Sequence, residues 1–273
     1  MQNWLFILSY MRCIFCKSLS DSSRSVEHII PESLGNTKQI LPRGVVCDKC
    51  NNYFARKVEK PFLDASGITE LRSFQFIPNK KGIIPSSTGY IDAEHPVQIF
   101  PYKEGEVKAS IAVETEIFNK ILEDQGSFLV LPTGRLPKQN NIVSRFLAKI
   151  AVEAIAQRFL NVGIELDQLI DGVEFDPIRE YARLGKPNDW VYHKRTIYEA
   201  NQKRTKHSKE PYEVIYEYDL FYTPRQELYF ILVIFGLELA INIGGSDIAG
   251  YLEWLAANNN VSPLYMGENK ELI

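Results

Sequence analysis

The chain has 273 residues, 45% of them hydrophobic and 24% charged, with a formal net charge of −3. That balance is ordinary for a folded domain and excludes both a disordered, highly charged chain and a strongly basic nucleic-acid coat protein. The length allows one large or two ordinary domains, and no apolar run approaches the ~20 residues that span a bilayer.

The apolar start, Trp4 to Tyr10, is very short and lacks the basic flank and small-residue cleavage pattern of an export signal. It fits an extension ahead of Met11, or a strand packed on the body. The expectation is a cytoplasmic protein with no membrane partner. All four cysteines follow in two pairs, Cys13-x-x-Cys16 and Cys47-x-x-Cys50. Four thiolates at this spacing suit one tetrahedral structural zinc, at about 2.3 Å each. Two disulfides are the alternative, and they need an oxidising compartment that nothing else in the chain supports. Between the pairs, Val26 to Ile30 reads as a short strand ended by Pro31. A helix is predicted from Asp48 to about Glu59, with Asn51 in its first turn.

Three stretches carry a resemblance: Cys-Ile-Phe-Cys at 13–16, Val-Glu-His-Ile-Ile-Pro-Glu-Ser-Leu-Gly-Asn at 26–36, and Gly-Val-Val-Cys-Asp-Lys-Cys-Asn-Asn at 44–52. In this order they resemble the HNH endonuclease family in its zinc-bearing treble-clef (ββα-metal) form, over Cys13 to about Leu63. The resemblance implies that His28 is the general base that takes a proton from the attacking water; an unperturbed imidazole, titrating at about pH 6.5, is available as a neutral base. It implies that Glu27 and Asn51 hold a catalytic divalent ion, magnesium or manganese, through oxygen ligands suited to a hard cation. Such an ion would stabilise charge on the phosphate and on the leaving 3′ oxygen. The family often carries Asp or His in place of Glu27 and His in place of Asn51. Asn52 is the substitute ligand for Asn51. For the middle residue of the motif both Asn36 and Pro42 are candidates. The His28 ring and the oxygens of Glu27 and Asn51 are expected to converge on one solvent-open cleft.

Beyond this segment the sequence suggests a separate α+β domain. Residues 77–82 read as a turn-rich linker. Val97 to Phe100 and Val107 to Val113 alternate like strands around a turn at Lys103-Glu104-Gly105. Helices are predicted at Glu116 to Glu123 and Ile142 to Leu160, the latter amphipathic with one apolar face of Val143, Phe146, Leu147, Ile150, Ala154 and Ile155. Asp176-Pro177 reads as an N-cap with proline at the first helical position, opening a helix to about Leu184. Tyr212 to Tyr222, Leu228 to Phe235 and Leu237 to Ile243 read as strands, Gly236 marking a tight turn. The unbroken apolar run of the middle strand predicts burial on both faces. Ser246 or Asp247 would cap a last helix through Trp254 to Ala257. His95 and His193 read as structural.

The organisation expected is therefore α+β: residues 1–70 a zinc-stabilised ββα-metal module, residues 71–273 a second α+β domain with an antiparallel or mixed sheet, serving target recognition, assembly or activation. Its sheet, free of cysteine, is expected to outlast loss of the zinc. Charge is uneven: residues 1–65 hold nine Lys and Arg against six Asp and Glu. Arg43, Lys49, Arg56, Lys57 and Lys60 are candidates for a phosphate-facing surface. A second basic run, His193 to Lys209, reads as a solvated loop or as a further duplex contact. The resemblance implies a metal-dependent endonuclease acting on DNA, duplex first. Such modules recur in phage defence and restriction, which suggests an effector working with a partner protein or as a homodimer. The alternatives are a zinc-stabilised nucleic-acid-binding module without catalysis, and a ligand- or partner-sensing protein with a nuclease output.

Overall fold

Local chemistry dictates the turn around the first cysteine pair. Cys13 N–H donates to Ser18 O and Lys17 N–H to Cys13 O, bending residues 13–18 into a knuckle, and Arg12 bridges Leu19. Gly44 closes the knuckle from the other side at φ +89°; a Cβ there would come within 2.8 Å of the Met11 side chain. The computed structural model describes residues 11–104, 107–123, 127–131, 141–186, 189–197, 204–205, 211–212 and 216–264. Residues 1–10, and Lys203, Lys206 and Lys209 of the basic run, lie outside them.

Strand β1 (Glu27–His28) pairs antiparallel with β2 (Ile40–Leu41), His28 opposite Ile40. Helix α1 (Asp48–Phe54) starts at Cys47, whose sulfur caps it by accepting the Cys50 N–H. The helix runs on through a π-helical turn, Ala55–Glu59, into α2 (Lys60–Leu63), and α3 (Ser66–Phe74) follows. Next come β3 (Ser87–Ile91), β4 (His95–Glu104), β5 (Val107–Ala112), α4 (Thr115–Glu123) and β6 (Leu129–Val130). These strands form an antiparallel sheet in the order β5-β4-β3-β6.

Helices α5 (Asn141–Asn161), α6 (Leu166–Asp171) and α7 (Asp176–Leu184) lead to β7 (Tyr192–Thr196). Two short strands, β8 (Arg204–Thr205) and β9 (Pro211–Tyr212), pair with each other. Then β10 (Tyr216–Tyr222), β11 (Leu228–Ile234) and β12 (Leu237–Asn242) build a second antiparallel sheet, ordered β10-β11-β12-β7, before α8 (Ala249–Ala257). Phe235 and Gly236, both at positive φ, make the tight turn between β11 and β12. The fold class is α+β with antiparallel sheets.

Strand β11 is buried on both faces, as its unbroken apolar run requires. Phe230, Leu232 and Ile234 belong to the main core with α5, and Tyr229, Ile231 and Val233 pack with Tyr251 and Leu255 of α8. Helix α5 corrects the expectation of a single apolar face. Every residue from Val143 to Ala156 except Arg145 is buried, because the helix is enclosed by α2, α7 and the sheet. The loop reading of the second basic run is likewise corrected at its start. Residues 192–196 are the edge strand β7, with Arg195 bound to Glu238 rather than solvated.

One cluster of buried side chains crosses residue 70. Ile14, Phe15, Phe54, Val58 and Phe62 share it with Phe146, Ile150, Tyr181 and Phe230. Phe62 and Phe146 stack at 3.8 Å between ring centroids. Salt bridges add to the docking: Arg12 grips Asp167 at 2.6 Å and Asp171 at 2.7 Å, and Lys17 reaches Asp176 at 2.7 Å. The N-terminal segment is thus seated on α5, α6 and α7.

Candidate active site and cysteine centre

The knuckle and the start of α1 bring four sulfurs together. The Sγ atoms of Cys13, Cys16, Cys47 and Cys50 all lie within 4.8 Å of one another, and those of Cys16 and Cys47 are 3.6 Å apart. Tetrahedral bonds of about 2.3 Å place sulfurs about 3.8 Å apart, so the set fits one zinc. No disulfide links them. The Cys13 thiol is pulled down to about 5, first by a hydrogen bond with Cys50, whose own pKa is driven up by that bond and by burial. One thiolate is therefore already favoured, which suits a cation. Cys47 N–H also donates to the Cys13 sulfur at 3.3 Å.

Beside this centre stands the hairpin of β1 and β2. Neighbouring residues of a strand point to opposite faces, and Glu27 and His28 do so. His28 is partly open, its side chain 18% exposed, with Nε2 3.6 Å from the Glu32 carboxylate. Asn51, on α1, donates from Nδ2 to Val26 O at 3.0 Å, which ties the helix to the strand and leaves its Oδ1 with no bond to the strand. Glu27 turns inward and is 5% exposed. The expectation of one solvent-open cleft lined by all three is corrected in this respect.

Glu27 meets a residue that no local motif announces. The Lys149 ammonium, on α5, donates to Glu27 Oε1 at 2.5 Å and to Glu59 Oε1 at 2.6 Å, and lies 3.0 Å from Glu153 Oε2. Lys149 and Glu153 are wholly buried. Glu59 ends the π-helical turn that follows α1. Burial works against the charge on Lys149, but Glu153, Glu27 and Glu59 outweigh it and hold its pKa well above the usual lysine value. Burial pushes Glu153 well above the ordinary carboxylate range and raises Glu27, with Lys149 opposing both shifts. Neither Glu153 oxygen accepts a well-directed hydrogen bond, the Lys149 contact being one of charge.

Asn36 is fully buried and braces the loop of the hairpin. Its Nδ2 donates to Ile30 O at 2.7 Å and Gln39 O at 2.9 Å; its Oδ1 accepts from Lys38 N, Gln39 N and, at 3.0 Å, the Tyr216 hydroxyl. With both ends of the amide engaged, Asn36 holds the loop that follows His28. The Pro42 carbonyl accepts Val45 N–H at 3.3 Å in a turn. Tyr216, which also bonds Gln39, brings β10 onto the same loop.

The basic candidates lie outside. Arg43, Lys49, Arg56, Lys57 and Lys60 are all exposed, four of them along the helix from α1 to α2, and Lys60 pairs with Asp64 at 2.5 Å. Sequence reasoning missed Lys149, Glu153, Glu59 and Tyr216. The first two had a signal: a Lys and a Glu four residues apart within the longest apolar helical pattern of the chain. Such charges are almost never fully buried unless paired.

Residues 13–65 match the model of a family described as HNH endonuclease. The chain carries an HNH endonuclease region with a four-cysteine cluster able to hold zinc. No curated protein and no solved structure matches the chain. Among the described residues no helix is long and apolar enough to cross a membrane.

Proposed function

We propose that this chain is a metal-dependent endonuclease that hydrolyses phosphodiester bonds in DNA. The match of residues 13–65 to the HNH endonuclease family carries the reading. It is supported by a partly open His28 on a hairpin that Asn51 ties to the helix and Asn36 braces. His28 takes a proton from water, the water oxygen attacks phosphorus, and the bond to the 3′ oxygen breaks, that oxygen taking a proton from solvent. Asn51, through Oδ1, and Glu27, through the oxygen not bound to Lys149, are the groups that would hold magnesium or manganese. The ion, when bound, supplies positive charge against the phosphate and the leaving oxygen. Arg43, Lys49, Arg56, Lys57 and Lys60 provide the exposed charge for the DNA backbone. The joining of a nuclease segment to a second structured region supports a place among phage-defence or restriction effectors, with a partner protein or a second copy. His28→Ala should lose about 10²–10⁴ in cleavage rate, the usual worth of a positioned base, while zinc content and DNA affinity stay unchanged.

A second reading is a zinc-stabilised DNA-binding module without catalysis. One observation favours it: Glu27 is buried and already neutralised by Lys149. Absence of any cleavage by wild-type protein that still retains DNA would select it.

A further inference from the structure

The turn that follows α3 carries a cation to the His28 site. Ile77 is buried in the main core, and its N–H donates to Arg72 O near the end of α3, which anchors the segment. Asn79 then folds the chain back. Its Oδ1 accepts Lys81 N–H at 2.8 Å and Ile83 N–H at 3.1 Å, its own N–H donates to Ile83 O, and Gly82 N–H donates to Asn79 O at a φ of +76°. Lys80 stands at the tip of this turn, exposed, with Nζ 3.8 Å from Glu32 Oε2. The other oxygen of Glu32 lies 3.6 Å from His28 Nε2, so Lys80, Glu32 and His28 follow one another in a row. The charge of Lys80 reaches further still. Burial raises the Glu27 carboxyl and Lys149 opposes that rise, and Lys80 opposes it as well.

We propose that Lys80, which lies outside the matched segment 13–65, binds the DNA backbone phosphate at the His28 site. The inference rests on the nuclease reading and adds to it a substrate contact from beyond that segment. Glu32 puts negative charge beside His28, where a phosphate must approach, and like charges repel. Lys80 offsets that charge in the free protein and turns to the phosphate when DNA arrives. The exchange is easy, because an exposed ion pair at this distance adds little stability. The Glu32 carboxylate released by it is itself exposed and stays hydrated. Lysine suits the task as a flexible point charge, and its bond to a phosphate oxygen is charge-assisted.

The test uses zinc-loaded full-length protein and a fluorescent DNA duplex. Without added magnesium or manganese, binding is followed by anisotropy over a range of salt concentrations. Lys80→Gln should lower the slope of log Kd against log salt by about 0.9, the counterion release of one phosphate contact, and Lys80→Arg should keep it. With magnesium, single-turnover cleavage at saturating protein should slow about tenfold or more in Lys80→Gln, the scale of one charge-assisted hydrogen bond. Lys80→Arg should recover most of that rate. A lysine that acted only by holding Glu32 would have no effect in the Glu32→Gln background, whereas a direct contact lowers the slope there by the same amount. An unchanged slope in Lys80→Gln, or an effect that vanishes in the Glu32→Gln background, overturns the proposal. An unchanged single-turnover rate in Lys80→Gln overturns it too and leaves the nuclease reading standing, since wild type then cuts. If wild type binds DNA and never cuts it, the nuclease reading falls, and the salt slope alone decides for or against Lys80.

Discussion

Phe62→Ala should destabilise parts of the chain far from the HNH segment in sequence. Phe62 is fully buried, belongs to the shared core and stacks on Phe146 of α5. Truncating such a ring leaves a cavity that costs about 3–5 kcal/mol. For a chain of this size about 1 kcal/mol shifts the melting temperature by roughly 2–4 °C, so a drop on the order of 10 °C is expected. Urea unfolding followed by tryptophan fluorescence is the assay. Trp190 packs on Tyr181 and donates to Asn242 O, and Trp254 packs on Phe221, so in a Trp4→Phe background, which removes the third tryptophan of the chain, fluorescence reports the region after residue 140. Zinc release, followed with a colorimetric chelator, reports the N-terminal segment in the same titration. The shared core predicts that both signals move together in Phe62→Ala. A fluorescence transition unmoved while zinc is released early would refute a continuous core and restore two independent domains.

The same logic reverses the expectation that the cysteine-free sheet outlasts the zinc. Cys50→Ser should lose the metal, shown by elemental analysis as a fall from one zinc per chain to none, and should also lower the fluorescence midpoint, because the cysteine segment contributes Ile14, Phe15 and Phe54 to the core it shares with α5 and β11. Tyr216→Phe removes one hydroxyl from Asn36 and Gln39 and should cost about 1 kcal/mol in urea unfolding, the net worth of an ordinary hydrogen bond. Gly44→Ala should destabilise by about 1–3 kcal/mol, since its φ of +89° disfavours a side chain and its Cβ would meet Met11. Arg56→Glu with Lys57→Glu should weaken DNA binding uniformly across sequences and flatten its salt dependence by filter binding, if these residues face phosphate.

Where the signal was local, the sequence disclosed the structure. Cys-x-x-Cys turns close on themselves, so the four sulfurs could be gathered from spacing alone. The strand expected from Val26 to Ile30 is shorter, β1 covering only Glu27–His28, with Pro31 opening the turn at Glu32–Leu34, while the Phe235-Gly236 turn joined the two apolar strands in register. What stayed hidden depends on long-range contact. The partners of Glu27 and Asn36 are Lys149 and Tyr216, 122 and 180 residues away. A helical wheel marks Lys149 and Glu153 as a solvent face, and only the enclosure of α5 by three sets of neighbours turns that face inward. Strand β7 was obscured for a related reason. Its basic residues look solvated until Glu238, buried on β12, supplies the partner of Arg195.

The central claim is hydrolysis by the HNH segment, and incubation of supercoiled plasmid with zinc-loaded wild-type protein tests it most directly. With magnesium or manganese present, nicked or linear plasmid should accumulate, and it should not with His28→Ala or with metal withheld. Plasmid left intact by wild type in both metals, while a gel shift shows the protein bound to it, would contradict the account.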